Sequence, residues 1–444
     1  MDSLDEGMPI SDPVSYGEMT PASPPQLPDA PDHDPYQALR FRDFRLFLGG
    51  SFVAITGQKM LEVALGWELY DRTNSALVLG GVGLVLIIPV ILLSLPAGSV
   101  VDRFNRKRLV LISQMVMAGA TLALTISSFA HGAIPLIYAC LLVMGIANAF
   151  LNPATSAFMA QTVSESAFES AATWNSSSWQ LASVIGPALG GVMIALFQSA
   201  TPVYVCTTAA ELIFALLVVL IRGKEQGRAR PVHTDERSGW RSIQEGLGFL
   251  RQNPLLLAAI TLDMFAVLLG GATTLLPIFA KDILQVGPTG LGWLRAAPPL
   301  GAVIVALILA YRPPFKQAGR VLLFVVVGFG VATIIFGLSH TFWLSLLMLF
   351  LLGGLDNVSV VIRATLMLTH TPDAMRGRIS AVNAIFVGAS NELGGFESGL
   401  TAQLFGPILS VVGGGIGTVI VVLLVALIWP ELRRLGALSP PEHT

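Results

Sequence analysis

The chain has 444 residues, of which 53% are hydrophobic and only 12% charged, with a mean hydropathy of +0.71, whereas soluble domains carry about 25% charged residues. That composition argues against a soluble enzyme, and the two cysteines, Cys140 and Cys206, both inside apolar runs, rule out a disulfide-stapled ectodomain and a CxxC metal site. The 26 Lys and Arg against 28 Asp and Glu leave a net charge of −2, but residues 1–39 hold eight of the acids and no Lys or Arg, so the excess over the remainder is positive.

The first element is a tail. Met1 to Pro35 contains eight prolines and lacks the basic and apolar regions of a signal peptide, so it is expected to be a disordered cytoplasmic tail, ending at residue 39. From Phe44 onward, apolar stretches recur that meet the roughly 20 residues a spanning helix needs. Twelve are predicted, at 45–70, 76–100, 108–130, 134–160, 169–197, 202–222, 255–280, 289–311, 320–338, 342–368, 379–403 and 407–429. Runs such as Leu79 to Leu95 do not alternate in polarity, which excludes a transmembrane β-barrel.

In chain order, span one carries Lys59 and Glu62 near its middle, three residues apart and so neighbours on one face. They are either a self-neutralising pair or a pair lining a cavity. The loop after span two runs Gly98 to Arg108 and holds Asp102, Arg103, Arg106 and Lys107. Gly98 is expected to permit close helix approach, Asn105 to take a left-handed turn, and Arg106 and Lys107 to face lipid phosphates. Span five contains Gly186, Pro187, Gly190 and Gly191; the proline bends a helix and the glycines allow close packing.

Span six carries Glu211. The one long polar loop, 223–253, includes Trp240, Ile243, Leu247 and Leu250 at helical spacing. It is expected either to lie as an amphipathic helix on the inner membrane surface or to be a plain connector. Span seven holds Asp263 and is interrupted by Gly270, Gly271 and Pro277, and span eight holds Arg295; interrupted helices mark transporter binding sites. Asp356 and Arg363 share a face of span ten but lie about 10 Å apart along the axis, so each is expected to pair with another helix. In span eleven Glu392 and Glu397 diverge by about 140° at 3.6 residues per turn, and Glu392, nearer the middle, is the expected cavity residue. Each such charge costs about 2.5–3.5 kcal/mol to insert, which demands a partner or a function. Lys59, Glu62, Asp263, Asp356 and Glu392 are the candidate proton and substrate residues.

Lys and Arg concentrate on one side of the twelve spans, in the loops after even-numbered spans and at both ends, while the opposite loops hold only Arg72 and Lys281. Cytoplasmic loops carry the positive excess, so both termini are expected in the cytoplasm. A weak repeat at an offset of 209 residues, which sets Asn148 on Asn357, divides the chain into related halves. The expected organisation is a tail (1–39), a six-helix bundle (40–222), the central loop (223–253), a second bundle (254–430) and a short tail (431–444).

The Gly98 to Arg108 loop resembles the major facilitator superfamily pattern G-x-L-A-D-R-x-G-R-[KR], with Asn105 in place of the turn glycine, and Gly186 to Gly191 resembles the G-P-x-x-G-G of its antiporters. Residues 276–284, 292–302 and 367–379 are similar to the branch called transmembrane secretion effectors, which includes the enterobactin exporter. The resemblance implies an all-α membrane protein with twelve transmembrane helices in two pseudo-symmetric six-helix bundles. It implies a gate in which Asp102 meets span eleven near Ile379, and it favours efflux. Drug antiporters of the superfamily carry R-x-x-x-G in span four; here Leu141 stands at that position, so coupling must use other groups.

No GxxxxGK[ST] appears, so direct use of ATP is not indicated. The expected function is secondary export of a small organic molecule, siderophore-like or amphipathic, across the inner membrane by alternating access, with protons as the coupling partner. An importer or facilitator of a small solute is the alternative, and a non-transporting membrane receptor or assembly factor is the alternative of another class. No cofactor, metal, enzymatic activity or nucleic-acid partner is expected; membrane lipids surround what is expected to be a monomer.

Overall fold

The computed structural model describes residues 34–222, 236–313 and 315–436. The expected N-terminal tail therefore lies outside the described residues up to 33, as do 223–235 of the central loop and 437–444 of the last tail. Every regular element among the described residues is helical.

Local sequence sets the helix ends. α1 (Arg42–Thr73) stops where Asn74 adopts a left-handed φ of 46°, a conformation Asn tolerates better than most residues. The Ser75 hydroxyl then caps α2 (Ala76–Arg103) by accepting from the Val78 N–H at 3.4 Å. Asn105 does the same for α3 (Arg106–Phe129), accepting from the Arg108 N–H at 3.2 Å. Its φ of −65° is in the extended region, so the left-handed turn expected at this position is not made. A capping side chain makes the sharp reversal that glycine freedom makes elsewhere.

The chain continues through α4 (Ile134–Met159), α5 (Phe168–Phe197) and α6 (Thr201–Leu220) to α7 (Glu236–Gln252). Span seven is broken: α8 (Pro254–Leu269) ends at Gly270, a tight helical turn covers Ala272–Leu275, and the three-residue α9 (Leu276–Ile278) passes into a wide turn over Phe279–Ile283. Then come α10 (Gly287–Ala310), α11 (Ala318–Leu338), α12 (Phe342–His370), α13 (Asp373–Phe405), α14 (Pro407–Ile428) and the short α15 (Pro430–Arg434).

Among the described residues, ten helical stretches are long and apolar enough to cross a membrane. α1 and α13 fall outside that set because charged residues such as Lys59, Glu62 and Glu68, or Arg376, Arg378 and Glu392, run along them. At 32 and 33 residues each is nearly 50 Å long, which is consistent with twelve spans. Bulky apolar side chains point outward, among them Phe129 (82% exposed), Phe324 (75%) and Phe197 (61%), as a hydrocarbon solvent requires and water would penalise.

Within the first half α1 packs on α5 and α6, and α4 on α2 and α3; within the second, α12 packs on α10 and α11, and α14 on α11 and α8. The halves meet along two seams, α2 against α13 and α5 against α10. Second and eleventh spans, then fifth and eighth, are the same pairing read from either half, so the seams are related by the repeat seen in the sequence. The described residues from Tyr36 onward form one compact unit.

The last turn of α7 packs on protein: Leu250 is 1% exposed in the core shared with Leu256, Ile379 and Val382. The Arg378 Nη1 atom lies 2.9 Å from Glu245 Oε2. α7 also touches α2. The side chains of Trp240 and Ile243 lie outside the described residues.

Candidate functional site

Two separate groups of charges sit inside the helical layer. In the first, the Lys59 Nζ atom lies 2.6 Å from Glu62 Oε1, one turn along α1. The other carboxylate oxygen of Glu62 lies 3.7 Å from Arg295 Nη1 on α10, so Glu62 joins the two halves. Glu62 is 46% exposed, which leaves it reachable from the space between the halves. Glu392 of α13 lies within the electrostatic reach of Glu62, Lys59 and Arg295, and its carboxylate tip lies over Gly83 of α2, where a β-carbon would collide with it. Lys59 also stands 5.7 Å from the centre of the Trp179 ring, within cation–π range. Two bases and two acids make this group neutral when all four are ionised.

The span-five motif builds the wall behind this group. A β-carbon on Gly186 would lie 2.8 Å from the Thr56 carbonyl oxygen and one on Gly190 3.1 Å from the Met60 Cα atom, so both glycines let α5 press against the stretch of α1 that carries Lys59. Gly191 faces the other way, with a β-carbon 2.8 Å from the Gly292 Cα atom of α10. Pro187 sits between them, inside the helix. The motif thus holds the Lys59 turn and the turn before Arg295 against one helix.

The second group lies in the second half. Arg363 of α12 pairs with Asp263 of α8, Nη1 to Oδ2 at 2.5 Å, and both side chains are under 10% exposed. The Arg363 Nε donates to Ser359 Oγ at 3.3 Å. Asp356 lies within reach of the Asp263 and Arg363 charges. Among the described residues no ion pair joins this group to Glu62, so the structure does not bring Asp263 and Asp356 into the constellation of Lys59, Glu62 and Glu392 that the sequence suggested. The break in span seven serves packing: a β-carbon on Gly271 would strike Ser398 and the Gly394 backbone of α13, and one on Gly270 would meet Phe329 of α11. Glu397 is held apart from both groups, further along α13. Glu211, fully buried in the first half, accepts from Thr121 Oγ1 at 2.7 Å, and its Oε1 atom has no partner among the described residues.

Of the loop residues after α2, Asp102 has a side chain outside the described residues. Lys107 does not face lipid: its ammonium donates to the Val219 and Ile221 carbonyls at 2.9 and 2.7 Å, capping the end of α6 where the helix dipole favours a cation. A β-carbon on Gly98 would meet nothing within 4 Å, so the close approach expected of it is not made in this conformation. Arg103 is exposed and Arg106 partly so.

At the opposite, charge-poor end the halves are tied together. Tyr70 donates to Asp282, Lys281 lies 2.7 Å from Asp71 and 3.4 Å from the Asn74 side-chain oxygen, and Ser75 bonds Gln403 at 3.1 Å. Sequence reasoning counted Lys281 as one of two cations on that side but gave it no partner; Tyr70, Asp71 and Asp282 carried no signal there. These contacts hold the halves together at the charge-poor end.

Long apolar helices in two related halves, with a charged group shared between them, are the architecture of a transporter of the major facilitator type. The chain belongs to the transmembrane secretion effector family, whose pattern matches residues 33–439. It is 25% identical over 404 residues to the multidrug efflux pump Tap of Mycolicibacterium fortuitum, covering 89% of this chain and 98% of that one. It is 26% identical over 407 residues to the enterobactin exporter EntS of Shigella boydii serotype 4 (strain Sb227), covering 90% and 95%. Its fold matches the nucleoside transporter NupG at a TM-score of 0.68 and 14% identity, over 87% of this chain and 99% of that one. It also matches the peptide transporter POT in complex with sulfate at 0.69 and 14% identity, over 89% and 96%.

Proposed function

We propose that the protein exports a small organic molecule, siderophore-like or amphipathic and drug-like, across the inner membrane in exchange for protons. The observation that carries this reading is the ion pair of Glu62 in the first half with Arg295 in the second. A proton on Glu62 cancels the charge that attracts both Lys59 and Arg295, and so loosens a tie between the two bodies that alternating access must separate. Coupling then needs no arginine in span four. The basic end is cytoplasmic by the positive-inside rule, with both termini on that side, and Asp102 meets the start of α13 there when the cavity opens outward. The two exporters among the relatives support the direction.

The experiment is Glu62→Gln in proteoliposomes, with the compound whose release from cells depends on this chain as cargo. Coupling free energies of about 1–3 kcal/mol correspond to about 5–150-fold, so pH-gradient-driven uptake should fall about tenfold or more. Exchange at equal pH should persist, because the amide mimics the protonated carboxyl and still permits the conformational cycle. Gradient-driven transport at the wild-type rate would make Glu62 structural.

A further inference from the structure

Glu392 differs from the other members of the central group. Lys59 and Arg295 both reach Glu62, whereas the Glu392 carboxylate, though it feels all three charges, makes no hydrogen bond or ion pair among the described residues. Shape holds it instead. The carboxylate lies on the backbone of Gly83, so that a β-carbon there would collide with its Oε2 atom and stand 3.4 Å from its Cδ atom; only glycine leaves this room. Around this contact α2 and α13 touch backbone to backbone. One turn toward the charge-poor end, a β-carbon on Gly80 would lie 3.1 Å from the Gly399 Cα atom and 3.2 Å from the Phe396 Cα atom, and beyond it Ser75 bonds Gln403 at 3.1 Å. On its other side α2 is held by α4, since Tyr138 donates to the Val78 carbonyl at 2.6 Å. α2 therefore has little freedom to yield to a bulkier contact with α13.

We infer that Gly83 is the positioning residue for Glu392: it makes a socket in α2 that keeps the carboxylate in the central group only while α2 and α13 are closed on each other at the charge-poor end. α2 belongs to the first half and α13 to the second, so parting of the halves at that end withdraws the socket. Glu392, with no cation or donor of its own to hold it, then leaves its place beside Lys59, Glu62 and Arg295. The closure of one end of the molecule is thereby felt at the charged group through the place of a single side chain. This role rests on the reading of the chain as an alternating-access transporter, not on Glu62 as its proton carrier.

The test needs neither cargo nor a pH gradient, so its failure is distinct from a failure of the Glu62 reading. The full-length chain, with Cys140 and Cys206 replaced by Ala and Trp179→Cys beside Lys59, is labelled in proteoliposomes by an impermeant maleimide from the Lys281 face. Gly83→Ala should speed labelling about fivefold or more, the low end of a conformational coupling, because the methyl group and the carboxylate cannot share the socket and the seam gives way. Glu392→Ala should label close to the starting rate, and adding Gly83→Ala to it should change nothing, since the methyl then fills vacated space. In a Glu392→Gln background Gly83→Ala should act as strongly as in the parent, because the contact is one of shape and not of charge. If Gly83→Ala alone fails to insert, the yield of inserted protein decides: Glu392→Ala should restore it and Glu392→Gln should not. The proposal is overturned if Gly83→Ala inserts and leaves labelling unchanged, which would mean that the carboxylate merely turns aside. It is equally overturned if Glu392→Ala fails to cancel the effect of Gly83→Ala on labelling or yield.

Discussion

Arg363→Leu should destabilise the folded chain by about 3–5 kcal/mol, the usual cost of removing one partner from a buried ion pair. Arg363 and Asp263 are 8% and 6% exposed, so the aspartate left behind has neither water nor a cation, and Asp356 stands beside it. Thermal unfolding in detergent and the yield of inserted protein both report the loss. The double replacement Asp263→Leu with Arg363→Leu should recover most of it, because swapping a buried pair for apolar side chains of similar volume is often neutral. A cost below about 1 kcal/mol for the single change, the level of a surface ion pair, would mean that the pair is hydrated and not buried as described.

Lys281→Glu should open the charge-poor end. Taken singly the contact with Asp71 is modest, since Asp71 is 55% exposed and such pairs contribute about 0.2–1 kcal/mol. Reversal does more than delete it: a carboxylate at this position confronts Asp71 across the seam between the halves and stands next to Asp282 in the chain. A bias of about 1–3 kcal/mol shifts a two-state population by about 5–150-fold. In a chain with Cys140 and Cys206 replaced by Ala and Trp179→Cys beside Lys59, labelling by an impermeant maleimide added from the Lys281 face should speed up about fivefold or more. The exchanged pair Asp71→Lys with Lys281→Asp should return labelling toward its original rate. Unchanged labelling in Lys281→Glu would remove these residues from the closure.

Much of the architecture could be read from the chain because hydrocarbon length and helix rise leave few options. The long apolar helices, the break at Gly270 and Gly271, and the one-turn spacing of Lys59 and Glu62 are local properties. What could not be read is long-range. Nothing in the sequence chooses Asp263 over Asp356 as the partner of Arg363, or places Arg295 of α10 on Glu62 of α1, 233 positions earlier. The amphipathic pattern of α7 reports that one face is apolar, not that its Leu250 shares a core with Val382 of α13. Lys107 looked like a lipid-facing cation because its partners, the Val219 and Ile221 carbonyls, are backbone atoms that carry no side-chain signature. Asn105 showed the same limit, since a missing turn glycine reads as tolerance of a left-handed conformation when the side chain is in fact a cap.

The central claim is that the chain moves a small molecule outward. It is tested most directly by comparing the small-molecule content of cells and medium from a deletion strain, the same strain with the gene restored, and the strain carrying Glu62→Gln. The account predicts a compound that accumulates in deletion cells and is depleted from their medium, returns to the medium on restoration, and stays trapped with Glu62→Gln. A compound that instead remains in the medium of the deletion strain and enters cells only when the gene is restored would contradict it, because the chain would then be an importer.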